Sequence, residues 1–206
     1  MLTKEDIKII ELFRQDIFKE YTIKEIQFKI AKKSYNWVFQ AVKKLEELNI
    51  IKINKKGSSN ICYLNLDENL TLIYLALLEE FNVKSKNLPE KNINELINSI
   101  PLSYYTFIIA GSYAEGKTSK KSDLDIVIIV EDDINTKKIL TILKNKGGIM
   151  VPEVHPYVFT KTEFLQMLLN DEENYGKMIY NKRLILFGSE NYYQIIKDAV
   201  KNGFKG

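Results

Sequence analysis

The chain has 206 residues, 45% of them hydrophobic, with a formal net charge of +3. That length and apolar content suit one large domain or two small ones and exclude wholesale disorder. No apolar run approaches the ~20 residues of a membrane span. Glu5 and Asp6 stand where a leader peptide would carry only bases, and Cys62 is the single cysteine. A cytoplasmic protein with no membrane partner is the expectation.

The charge is unevenly spread. Residues 1–66 carry 13 Lys/Arg against 8 Asp/Glu, and the rest of the chain carries 17 against 19. A basic first third on a slightly acidic remainder fits a nucleic-acid module joined to a second unit, and also a solvated surface with extra lysine.

Ile7, Ile10, Leu12, Phe13 and Ile17 follow mostly helical spacing over residues 4–20, with Thr3 as N-cap. A short helix over 23–31 follows, capped by Thr22. Lys32-Lys33-Ser34 then forms a turn. Ser34 caps a third helix reaching Leu48, with Val38, Ala41, Val42, Leu45 and Leu48 as its buried stripe. Strands over 50–54 and 61–66 flank a basic loop at 55–60. Helices over 68–81 and 93–100 lead to Pro101. The expected division is therefore 1–66, a helical connector at 67–100, and 101–206.

Residues 105–110 and 124–130 read as buried strands, followed by a helix over 135–146. A third strand over 149–160 contains Pro152 and Pro156. Proline cannot donate to a ladder, so this strand is expected at an edge or broken. Helices over 161–169, 175–186 and 192–202 close the chain, with Gly188 read as a C-cap.

Residues 108–130 carry the chemistry. An apolar run ends in Gly111-Ser112, and after ten intervening residues Asp123 and Asp125 precede a second apolar run. Carboxylates at i and i+2 on a strand share a face, so this pair suits Mg²⁺ bound to triphosphate oxygens. Gly111 allows close backbone approach to a phosphate, and Ser112 adds a hydroxyl and an N–H. An Asp-x-Asp pair alone is usually a surface feature; the strand, Gly-Ser, gap, Asp-x-Asp and strand together are far more specific.

In this stretch the chain resembles the nucleotidyltransferase superfamily of DNA polymerase β, and within it the minimal nucleotidyltransferases. Gly111, Ser112, Ala114, Gly116, Ser122, Asp123 and Asp125 match the family's pattern in register. The resemblance covers about residues 103–190. It implies Mg²⁺-dependent transfer of a nucleoside monophosphate from a nucleoside triphosphate, with ATP as the expected donor and pyrophosphate leaving. It also implies that Gly111, Ser112 and Ser122 bind the nucleotide. Tyr113 and Glu115 depart from the pattern, standing where the family often has Arg, and Lys117, Lys120 and Lys121 offer loop cations instead. The family needs a third carboxylate on a neighbouring strand. Glu153 is the candidate, as metal ligand or general base, with His155 on its face at spacing two. A lone His is more often structural.

The first three helices and the strand pair resemble a winged helix-turn-helix of the transcription-regulator kind. That resemblance implies an α+β protein: a winged helix-turn-helix followed by a polymerase-β-like α/β domain with a small mixed sheet. Tyr35, Asn36, Gln40 and Lys43 would face DNA bases, and Lys32, Lys33, Lys55 and Lys56 the phosphates. A homodimer would suit paired half-sites. The acceptor is left open, a protein or RNA among the choices. Two other readings use the same residues: a non-enzymatic regulator that senses a nucleotide, and an antitoxin-like enzyme that adds AMP to a partner toxin.

Overall fold

The computed structural model describes residues 2–57, 59–119 and 122–206. Its contacts divide the chain into two compact units, Met1–Leu78 with Lys205, and Glu79–Phe204 with Gly206.

In the first unit, α1 (Lys4–Gln15), α2 (Ile23–Lys29) and α3 (Tyr35–Glu47) start at the expected caps. Thr3 and Thr22 each form a capping box, with Asp6 and Glu25, and the Ser34 hydroxyl accepts from Trp37 N–H. α1 stops at Gln15 because Asp16 is extended, so Ile17 is buried outside the helix. The stripe of α3 buries Val38, Ala41, Val42 and Leu45, but Leu48 is 38% exposed. The helix ends at Glu47, Asn49 turns with φ 56°, and Ile50 N–H closes on Leu45 O, so Ile50 takes the buried place instead.

β2 (Ile51–Lys56) runs past the expected end and β3 (Ser59–Leu64) starts two residues early, so Lys55 and Lys56 are strand residues rather than loop. Ser58, within the expected loop, lies outside the described residues. β1 (Tyr21–Thr22), too short for periodicity to reveal, pairs with β3 and completes a three-stranded antiparallel sheet, β1-β3-β2. α4 (Asn69–Lys84) crosses the division between the units.

The second unit is a four-stranded mixed sheet with helices. β4 (Thr106–Ile109) pairs antiparallel with β5 (Leu124–Val130), and β5 pairs parallel with β6 (Val154–Thr160). β7 (Leu184–Phe187) closes the order β6-β5-β4-β7. One face of β5, carrying Leu124, Ile126, Ile128 and Val130, packs into a core with α5 (Glu90–Ser99) and α7 (Thr136–Gly147). α8 (Lys161–Leu169), α9 (Tyr175–Asn181) and α10 (Ser189–Lys201) complete the unit.

Two expectations are corrected here. The strand expected over 149–160 begins only at Val154. It is the edge strand, so Pro156 sits in it without breaking the sheet. The helix expected over 175–186 is α9 followed by β7. Leu184 and Ile185 are buried by pairing with Ile109 and Ile108, and this long-range pairing outweighs local helical periodicity. Gly188 accordingly caps the start of α10 rather than the end of a helix. A side chain there would strike the Tyr105 carbonyl, and Gly188 O accepts from the Thr106 hydroxyl at 3.1 Å.

Candidate active site

β4 and β5 deliver the site's two halves to one end of the sheet. Ala110 N–H, just beyond β4, donates to Asp125 O at 3.0 Å and ties the halves together. The chain then turns at Gly111 with φ 64° into the short helix α6 (Gly111–Glu115). Glycine is required here twice over. An L side chain is strained at this φ, and a Cβ would collide with the Asp125 carboxylate. The turn therefore brings its backbone close against that carboxylate, with Ser112 part-exposed next in the chain.

Asp123 precedes β5 and Asp125 is its second residue. Their side chains are 47% and 31% exposed. Register sets Asp125 opposite His155 on the parallel neighbour β6. His155 Nδ1 lies 3.7 Å from Asp125 Oδ1 and 4.0 Å from Asp123 Oδ2, while Nε2 lies 3.5 Å from Glu153 Oε1. The imidazole therefore stands between the aspartate pair and Glu153. Glu153 is just outside β6, its side chain 73% exposed and its carbonyl accepting from Leu124 N–H at 2.7 Å. Burial pushes the Asp125 carboxyl above its usual range; His155 opposes the rise and Asp123 adds to it.

Ser122 serves its own turn. Its hydroxyl accepts from Ser119 N–H at 2.8 Å, and its N–H donates to Ser119 O. Glu115 is held by two cations, with Lys182 Nζ at 2.5 Å and Lys117 Nζ at 3.1 Å, and these hydrogen bonds lower its pKa. Lys120 and Lys121 lie outside the described residues.

Could these side chains hold Mg²⁺? Among the described residues no group of three His, Cys, Asp or Glu side chains is gathered to hold a metal ion. Mg²⁺ commonly takes only one or two carboxylates and completes its shell with water and substrate phosphate. The hard oxygens of Asp123 and Asp125, beside the Gly111 turn, fit that mode.

Of the residues expected to face DNA, Tyr35, Asn36 and Gln40 are exposed on α3, and Lys33 and Lys55 are exposed nearby in sequence. The others have acidic neighbours within their unit. Lys32 Nζ is 3.6 Å from Glu5, Lys43 Nζ 2.6 Å from Glu46, and Lys56 Nζ 3.2 Å from Glu20. Lys32 also lies over the Trp37 ring at 4.6 Å.

Residues 91–179 match the family model of the nucleotidyltransferase domain. The match runs from α5 to α9 and takes in Gly111, Ser112, Asp123, Asp125 and Glu153. It supports nucleotidyl transfer as the general activity of this domain. No curated protein and no solved structure matches the chain. No helix among the described residues is long and apolar enough to cross a membrane.

Proposed function

We propose that this chain is a Mg²⁺-dependent nucleotidyltransferase that moves a nucleoside monophosphate from a nucleoside triphosphate, ATP being the expected donor, to an acceptor. The observation that carries the reading is the convergence of Gly111 and Asp125: a glycine turn whose missing side chain lets backbone close on a carboxylate, within a domain that matches nucleotidyltransferases. Bound Mg²⁺ would neutralise the triphosphate and polarise its α-phosphorus.

The chain's own residues divide the remaining work. Asp123 and Asp125 hold the cation. Gly111 lets the phosphates lie against backbone, with Ser112 as a hydrogen-bonding partner and Ser122 fixing the loop before Asp123. His155 accepts the proton of the attacking hydroxyl at a ring nitrogen. Glu153 beside Nε2 is the third acid: it orients the ring and stabilises its protonated form, rather than joining Asp123 and Asp125 directly.

The first unit we read as a winged helix-turn-helix that tethers the enzyme to DNA, with Tyr35, Asn36 and Gln40 at base edges. Three helices leading to a β2–β3 hairpin with Lys55 and Lys56 near its tip support that reading.

The test supplies purified protein with Mg²⁺, each labelled nucleoside triphosphate, and candidate protein and RNA acceptors. Pyrophosphate release and label transfer should occur with one nucleotide and vanish in D123A/D125A. Mg²⁺-dependent nucleotide binding without transfer to any acceptor would instead identify a nucleotide sensor.

A further inference from the structure

Asp125 has two flanks, because β5 lies between β4 and β6. Gly111 ends the β4 side. On the β6 side, alternation along the strand puts His155, Tyr157 and Phe159 on the face that Asp125 shares with Val127. The opposite face, with Val154 and Val158, packs against the apolar core. Tyr157 is 40% exposed although it lies in the middle of a strand. Its ring packs against Tyr175, the first residue of α9, with centroids 4.8 Å apart. Tyr175 also meets Phe159 at 6.1 Å. Tyr175 is thus wedged between two rings and holds Tyr157 in place.

A nucleotide has an anionic tail at one end and a flat apolar ring at the other. Asp125 has the same polarity laid out across it: a side-chain-free turn on one flank and a part-exposed aromatic surface on the other. We propose that Tyr157, backed by Tyr175, is the stacking surface for the nucleobase of the donor nucleotide. This proposal rests on the nucleotidyltransferase reading above. An aromatic surface is sequence-tolerant, since every base has a π-face, so Tyr157 contributes affinity without choosing among bases.

The experiment measures binding of two probes to the full chain in Mg²⁺ by calorimetry. One is the α,β-methylene analogue of ATP, which cannot release pyrophosphate. The other is inorganic tripolyphosphate, which has the anionic tail and no base. Y157A should weaken the analogue about 5- to 100-fold and leave tripolyphosphate unchanged, while Y157F should keep both near wild type. Unchanged tripolyphosphate binding also reports that the variant is folded. If Y157A binds the analogue as wild type does, the base subsite is wrong and the nucleotidyltransferase reading stands. Equal weakening of both probes likewise overturns it, because the ring would then be acting on the phosphate end. If wild type binds neither probe, the nucleotidyltransferase reading itself fails and takes this proposal with it.

Discussion

The Nδ1 of His155 stands 3.7 Å from Oδ1 of Asp125, held there by a parallel register that sets the two residues opposite one another. Asp125 is therefore bounded on one side by a glycine that must have no side chain and on the other by an imidazole. Every catalytic proposal above depends on that arrangement.

Gly111 is the sharpest test of it. G111A adds a methyl group where the Asp125 carboxylate already lies, at a φ of 64°. The strain alone costs about 1–3 kcal/mol. Thermal unfolding should show a lower midpoint, and calorimetry should show loss of Mg²⁺–nucleotide binding. A variant that bound nucleotide as wild type does would remove the Gly111 turn from the mechanism.

Asp125 should make stability depend on pH in a particular sense. Its folded pKa is raised by burial, against the opposing pull of His155 and with a further rise from Asp123. A carboxyl with a raised folded pKa favours the fold below its unfolded value of 3.8 and loses that contribution as pH climbs through the folded value. D125N should therefore unfold at a higher temperature than wild type near about pH 7 while losing transfer activity, and the gap should close near about pH 3. Calorimetric scans at both pH values check the sign; a variant less stable at neutral pH contradicts it.

H155A should lower the transfer rate about 10²- to 10⁴-fold, the usual contribution of a positioned general base, with nucleotide binding retained. Removing the imidazole also removes the influence that lowers the Asp125 pKa, so the Asp125 titration should move further up. Carboxyl NMR titration of the variant reads that shift. An unchanged rate would assign His155 a purely structural role.

Away from the site, Arg183 is 7% exposed and lies 3.6 Å from the fully buried Glu79. Glu79 also accepts from the Tyr193 hydroxyl at 2.6 Å. R183M leaves that carboxylate without its guanidinium and should cost about 3–5 kcal/mol in urea unfolding. The double variant E79M/R183M should recover most of the loss, because a buried pair is costly mainly when halved. If the single variant is as stable as wild type, the pair does not anchor the start of β7.

Lys33 and Lys55 test the DNA reading. K33A and K55A should each weaken binding to duplex DNA of any sequence and reduce the salt slope by about 1. Titrations across a salt series measure this. No binding at low salt would leave the first unit a protein-interaction module.

The helix starts of the first unit were legible because a cap is a local device: Thr3, Thr22 and Ser34 each act within three residues of themselves. The closeness of Asp123 and Asp125 was legible for the same reason, since one residue separates them where β5 begins. What the sequence hid is what the sheet assembles. β7 looked helical because its need to pair with β4 is 75 residues distant in register, Ile109 to Leu184. His155 looked like a lone histidine because Asp125, which register sets opposite it, lies 30 residues earlier in the chain. Tyr157 and Tyr175 are 18 residues apart in different elements, and no periodicity links them.

Pro156 has a consequence beyond its own strand. β6 is an edge, and its proline pairs with Ile126 on the inner side. With no N–H to present outward at mid-strand, β6 offers an interrupted template to any free strand that meets it. The sheet is thereby protected from growing sideways into another molecule, and the rim beside His155 and Tyr157 stays clear of intruding backbone.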